Sequence, residues 1–108
     1  MVEAIVVQTT TASKTEADAI ASALLAEGLA ACVQISAIRS RYIWQGEVRR
    51  DDEELLLIKT SADLWERVRA RIRELHSYDL PEILAAPVTA VDADYAAWLT
   101  TVTARPSR

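Results

Sequence analysis

Three features of the sequence predict an α+β fold built on an antiparallel sheet. Two long runs of strand-forming residues flank Gln45-Gly46, and an X-Gly pair between such runs is typical of a two-residue hairpin turn. Two other segments, near residues 13–28 and 61–75, repeat apolar side chains with the period of a helix. A hydrophobic fraction of 51% with 26% charged residues is ordinary for a globular domain and argues against disorder.

The chain begins with a predicted strand followed by a helix. The continuous apolar run from Ala4 to Val7 is typical of a strand buried on both faces. Ser13 and Glu16 then form the pattern of a capping box, in which each side chain accepts a hydrogen bond from a free backbone N–H of the first turn. The helix is expected to end at Gly28, where a left-handed residue is favoured, and its apolar face comprises Ala17, Ile20, Ala21 and Leu24.

The hairpin is predicted to be longer than the domain that carries it. A turn at Gln45-Gly46 pairs Trp44 with Glu47, Ile43 with Val48, and Ile35 with Leu56. Each arm then has about 13 residues and spans ~43 Å at ~3.3 Å per residue. A domain of this length has a radius of gyration near ~13 Å and is about 34 Å across. A soluble monomer would not leave so apolar a tip exposed to water. We therefore expect another copy of the chain to cover Tyr42, Ile43, Trp44, Gly46 and Val48.

Within the hairpin the apolar residues change their alternation. Val33, Ile35 and Ala37 share one face, whereas Ile38 and the aromatic residues of the tip lie on the other. Because a one-residue slip exchanges the two faces of a strand, this change predicts a β-bulge near Ala37-Ile38. Simple pairing would also place Arg41 opposite Arg50, a like-charge pair that a bulge would relieve.

The second half of the chain predicts a helix, a strand and a final helix. Leu55 to Ile58 is an unbroken apolar run typical of a central strand, and Thr60 or Ser61 is expected to cap the helix that follows. The apolar face of that helix comprises Trp65, Val68, Ile72 and Leu75. Pro81 ends the helical pattern, and Ile83 to Val91 is predicted to be a strand, with Pro87 marking an edge or a bulge. Asp92 is expected to cap the last helix, whose predicted face comprises Tyr95, Trp98, Leu99 and Val102.

The resulting element order is β-α-β-β-α-β-α. Two βαβ units joined through a hairpin are the ferredoxin-like split arrangement, an antiparallel sheet with helices on one face. We therefore predict a ferredoxin-like βαββαβ domain with an added C-terminal helix. It should form a single domain over residues 1–103, and residues 104–108 are expected to be a flexible tail.

Composition narrows the function and the location. A net charge of −4 provides no basic surface for phosphate backbones, so nucleic-acid binding is not expected. Cys32 is the only cysteine and cannot form an internal disulfide, which fits a reducing compartment. The N-terminus lacks the basic region of a signal peptide, and no apolar run approaches the ~18 residues of a membrane helix. We expect a cytoplasmic protein that contacts no membrane.

His76 is the only histidine, and carboxylates follow it at Asp79 and Glu82. This group could hold a divalent cation, yet the sequence has no Cys-x-x-Cys, His-x-x-x-His or EF-hand motif. The alternative is that His76 caps the second helix and bonds a carbonyl group. Cys32 has the same two interpretations, a small buried hydrophobe or a metal ligand.

The hairpin also contains a charged stretch. Its arginines, Arg39, Arg41, Arg49 and Arg50, face the carboxylates of residues 51–54. An ion-pair lattice is one interpretation, and an anion-binding cleft is the other, which requires arginines that those carboxylates leave unpaired. No Ser-His-Asp order, Cys-His order or Gly-rich phosphate loop stands out, so we expect no enzyme activity.

Five stretches together resemble the CutA family of divalent-cation tolerance proteins. They are LAACVQI (Leu29 to Ile35), YIWQGEV (Tyr42 to Val48), EELLLIKT (Glu53 to Thr60), HSYDLPEI (His76 to Ile83) and DYAAWL (Asp94 to Leu99). The resemblance covers nearly the whole chain. It implies a ferredoxin-like subunit in a tight homotrimer, a link to responses to copper and other divalent metals, and an architecture similar to the PII signalling proteins.

The predicted sites are based both on the residue types and on the resemblance to the family. No cofactor is expected to be required, but a divalent cation such as copper is expected to bind weakly at His76, Cys32 and Glu82. A cleft between subunits is predicted at Arg39, Tyr78 and Asp79. The chain departs from the family pattern at Ser77, which replaces the usual proline, and at Gln34, Leu75 and Thr9. Two further functions stay open: a PII-like trimer that binds a small anion or metabolite, and a scaffold that binds no ligand.

Overall fold

The computed structural model describes residues 3–103, and its elements follow the predicted order. They are β1 (Ala4–Thr11), α1 (Lys14–Ala26), β2 (Cys32–Trp44), β3 (Glu47–Ser61), a single 3-10 turn (Ala62–Leu64), α2 (Trp65–Leu75), β4 (Leu84–Pro87) and α3 (Ala93–Val102). The strands form one antiparallel sheet in the order β2-β3-β1-β4. This topology confirms the predicted ferredoxin-like fold. The predicted tail at residues 104–108 lies outside the described residues.

The core lies between one face of the sheet and the helices α1 and α2. Val7, Leu56 and Ile58 supply the sheet side of the core, and all three are fully buried. The helix side comprises the predicted apolar faces, with Ala17, Ile20, Leu24, Val68 and Ile72 buried and Trp65 and Leu75 packed against them. The 3.6-residue period of the sequence therefore identified the buried faces of both helices.

The hairpin has the predicted register and reach. Gln45 and Gly46 have φ values of 52° and 79°, the conformation of a type I′ turn, whose twist matches that of the two strands. Trp44 pairs with Glu47, Ile43 with Val48, and Ile35 with Leu56, as predicted. The molecule is 44 Å long but only 28 and 21 Å across, because the outer hairpin extends past the helices.

The predicted bulge near Ala37-Ile38 is wrong. The register of β2 with β3 is continuous from Cys32 to Trp44, and Arg41 lies directly opposite Arg50. The apolar residues change faces because the surroundings of the hairpin change along its length. Near its base the hairpin covers the subunit's own helices, whereas its outer part extends beyond them.

Three local predictions in the second half of the chain also need correction. Neither Thr60 nor Ser61 caps α2 with its side chain: the strand continues to Ser61, and the hydroxyl group of Thr60 donates instead to the carbonyl of Leu29, 2.7 Å away. β4 has only four residues, although its position at the sheet edge agrees with Pro87. α3 begins after the predicted cap Asp92 but buries Ala96 and Leu99, and it leaves exposed the side chains of Tyr95, Trp98 and Val102.

Candidate functional site

A groove of about 800 Å³ lies between the outer hairpin and the loop of residues 76–83. It lies at the sheet face opposite α1 and α2, since Tyr42 and Glu53 alternate with the residues that face the core. Many of the predicted site residues line this groove, namely Arg39, Tyr42, Ile43, Trp44, Tyr78, Asp79 and Glu82. Residues far apart in the sequence meet here because the hairpin and the loop after α2 approach the same end of β1.

His76 closes α2 and anchors the loop. Its backbone N–H donates to the carbonyl of Ile72, 2.9 Å away, and its side chain is fully buried. Nδ1 of the ring accepts the N–H of Tyr78 at 3.1 Å, so the ring proton lies on Nε2, which contacts the carbonyl oxygen of Thr10 at 2.6 Å. Both ring nitrogens are thus bonded to the backbone, and the imidazole offers no free lone pair to a metal.

Glu16 is the second anchor of the loop. Ser13 caps α1 as predicted, with its side chain accepting the N–H of Glu16. The reciprocal half of the capping box is replaced, because the Glu16 carboxylate accepts the N–H of Ser77 at 2.7 Å and its hydroxyl group at 3.0 Å. A proline at position 77 would have no N–H to donate, so this contact depends on the serine.

Glu53 is a buried carboxylate that faces the groove. It is 8% exposed and accepts the hydroxyl group of Tyr78 at 2.8 Å, but within residues 3–103 it forms no ion pair. Burial raises the pKa of Tyr78 well above its ordinary value, and the hydrogen bond to Glu53 raises it further. Beside this pair, the hydroxyl group of Tyr42 donates to Asp51, and that bond raises the pKa of Tyr42.

One chain does not bring the predicted metal residues together. Cys32 lies opposite Lys59 on β3, whereas His76 contacts Thr10, which pairs with Leu55, four residues along the same strand. Glu82 faces the groove and accepts the amide N–H of Gln8 at 2.8 Å. In the part of the chain that the structure describes, no three His, Cys, Asp or Glu side chains are grouped to hold a metal ion.

Sequence reasoning missed the two buried or half-buried carboxylates of this region. Glu53 lies in a run of four acidic residues, where nothing distinguishes it from its neighbours. The alternation of the strand places it towards Tyr78, which is 25 residues away in the sequence. For Glu16 the sequence predicts only a role in the cap of its own helix, because its contact with Ser77 spans 61 residues.

The chain is similar to known proteins over nearly its whole length. Residues 5–102 match the family model for the CutA1 divalent ion tolerance protein. The divalent-cation tolerance protein CutA of Pyrococcus horikoshii is 40% identical over 88% of this chain and 93% of its own length, and that of Thermus thermophilus is 44% identical over 87% and 92%. The crystal structure of CutA1 from Oryza sativa matches with a TM-score of 0.93 at 39% identity, and the match covers 98% of this chain and 97% of that one.

Proposed function

Because the chain belongs to the CutA1 family of divalent-ion tolerance proteins, we propose that it contributes to divalent-cation tolerance as a homotrimer. The proposed trimer binds copper or another divalent cation weakly, with ligands from more than one subunit. The observation that supports the assembly most strongly is the exposed hairpin tip. The carboxylates that line the groove support the proposal of cation binding.

The tip is too apolar to be a free end. Ile43 and Val48 lie opposite each other and are 68% and 66% exposed in the single chain. Tyr42 and Trp44 on the other face are 41% and 38% exposed. Large apolar side chains clustered on a protruding ribbon are typical of an interface. A trimer in which each hairpin is clasped by a neighbouring subunit would bury all four.

The groove has the chemistry of a weak cation site. Glu53 is buried without a positive partner among residues 3–103, and a buried charge is normally paired. Asp79 and Glu82 add carboxylate oxygens at the rim, and Zn²⁺ and Cu²⁺ accept oxygen ligands of this type. Because residues 3–103 of one chain group no complete ligand set, a neighbouring subunit would have to supply the remaining ligands. In this proposal His76 holds the loop in place, and coordination by its ring would require the loss of one backbone hydrogen bond.

Equilibrium dialysis with Cu²⁺ and with Zn²⁺ tests the cation proposal. We expect Glu53→Gln and Glu82→Gln to weaken binding relative to wild type. Asp18→Asn is the matched control, since it removes an exposed carboxylate from α1, away from the groove. Negligible binding by the wild-type protein, or equal binding by all four proteins, would refute the metal part of the proposal.

We also propose that the protein is cytoplasmic and not an enzyme. Within residues 3–103 no helix is long and apolar enough to cross a bilayer. Relatives occur elsewhere: the Arabidopsis thaliana relative is named chloroplastic, and a solved structure from Archaeoglobus fulgidus is titled periplasmic. The absence of activity is supported by His76, whose ring nitrogens contact backbone groups and leave no base for a nucleophile. Cell fractionation would test the location.

A PII-like regulatory function is the second candidate. Arg39 borders the same groove as Tyr78 and Asp79, but its side chain lies on the helix-covered face of the hairpin, and within the described residues it forms no ion pair. In this second candidate a small anion or metabolite binds at this edge of the hairpin between subunits. In a thermal-shift screen, a metabolite that binds the native state would raise the melting temperature of the protein. A screen without any shift, together with no metal binding, would favour a scaffold that binds no ligand.

A further inference from the structure

Three arginines share one face of the outer hairpin. Arg41 lies directly opposite Arg50 in the continuous β2–β3 register, and Arg39 lies two residues before Arg41 on the same strand. Side chains two apart on a strand point to the same side. This face continues the helix-covered side of the sheet, because the pair Ile35 and Leu56 lies on the same face nearer the base of the hairpin. We call Arg39, Arg41 and Arg50 the arginine cluster.

The arginine cluster is not neutralised by the part of its own chain that the structure describes. Directly opposed side chains in an antiparallel pair are ~5 Å apart at Cβ, and like charges there repel. Asp52 lies opposite Arg39, yet none of the three arginines forms an ion pair within residues 3–103. The ion pair that the described part of the hairpin does form joins Arg49 and Glu47, at 3.7 Å, and alternation places both of them on the opposite face.

The surroundings add a fourth cation. The cluster lines a groove of about 1360 Å³, whose other wall is the start of α1 with Lys14. On this face four positive side chains stand against the two carboxylates Asp52 and Glu54. A local positive excess in a chain of net charge −4 is not a consequence of overall composition. Such an excess attracts anions to this face.

We infer that the arginine cluster binds a polyphosphate anion. Guanidinium groups present paired N–H donors that match phosphate oxygens, and they remain charged at any physiological pH. A chain of phosphoryl groups can contact several guanidinium groups at once. Its negative charge can also offset the repulsion between Arg41 and Arg50. This site goes beyond the proposed cation function and uses none of the carboxylates that were proposed to hold the cation.

Calorimetric titration at low salt with inorganic triphosphate tests the inference, with orthophosphate as the comparison. We expect wild type to bind triphosphate more tightly than orthophosphate. Arg41→Gln with Arg50→Gln should weaken triphosphate binding at least tenfold. The control variant, Arg67→Gln with Arg73→Gln, removes the same charge from the exposed face of α2 and should bind like wild type.

Two further readouts make the outcome decisive. Without ligand, the variant of Arg41 and Arg50 should keep the oligomeric mass of wild type and melt at an equal or higher temperature, since a like-charge repulsion is removed. The inference is overturned if wild type binds no triphosphate or if the control variant weakens binding equally. It is also overturned if the variant loses its oligomeric mass, which would assign the arginines to carboxylates of a second copy. None of these outcomes changes the dialysis test of Glu53 and Glu82.

Discussion

The hairpin tip provides a quantitative test of assembly. Replacing Ile43 and Val48 by glutamine changes two side chains that are 68% and 66% exposed in one chain. Complete burial of an Ile or Val side chain contributes ~1.5–3 kcal/mol, so covering the exposed two thirds contributes about 1–2 kcal/mol each. Over three chains the two positions contribute about 6–12 kcal/mol, similar to the ~8 kcal/mol of a micromolar complex. Buried amides without partners would add about 1–3 kcal/mol each to the loss.

The assay is light scattering at micromolar concentration combined with thermal unfolding. Wild type should have three times the mass of one polypeptide. The double variant should be smaller and should melt at a lower, concentration-dependent temperature. Leu25→Gln is the control, because Leu25 is an exposed leucine near the end of α1, 46% accessible. In a monomer, surface substitutions change stability by only about 0.5 kcal/mol, so a monomeric wild type or an unaffected double variant would refute the reasoning.

The remaining predictions concern buried polar groups. Thr9→Val should raise the free energy of unfolding by about 1–3 kcal/mol in urea titrations, since the hydroxyl group of Thr9 is buried without a hydrogen-bond partner among the described residues; a destabilised variant would contradict this. His76→Ala should cost about 2–4 kcal/mol, because it leaves a cavity and frees the carbonyl of Thr10 and the N–H of Tyr78. The pKa of Tyr78 is raised above 10.0 on folding, so its stabilising contribution is complete below pH 10 and is lost as the pH rises further. Urea midpoints of wild type should therefore fall more steeply above pH 10 than those of Tyr78→Phe, and equal slopes would contradict the assignment.

Local patterns were sufficient for the elements and for the core. The i, i+3, i+4 spacing in both major helices selected the residues that are buried, and Gln45-Gly46 set the hairpin register. These predictions succeeded because they depend on backbone geometry and on side chains within one turn or one strand pair. The predicted face of α3 is only partly buried: Leu99 is buried, whereas Tyr95, Trp98 and Val102 are exposed in the single chain. The helix α3 has apolar residues on more than one side, and contact with the sheet buries the side that carries Ala96 and Leu99.

The interior of the candidate site could not be predicted in the same way. The contacts of His76 with Thr10, of Tyr78 with Glu53, and of Ser77 with Glu16 join segments that the sequence separates by 66, 25 and 61 residues. A hydrogen bond requires angstrom-scale placement of both partners, and only the packing of α2 and β3 on β1 provides it. The sequence alone therefore determined which segments form strands and helices and that the hairpin outreaches its own helices. The tertiary structure decided which carboxylates are buried and which arginines form no ion pair with the described residues, because those properties depend on neighbours that are distant along the chain.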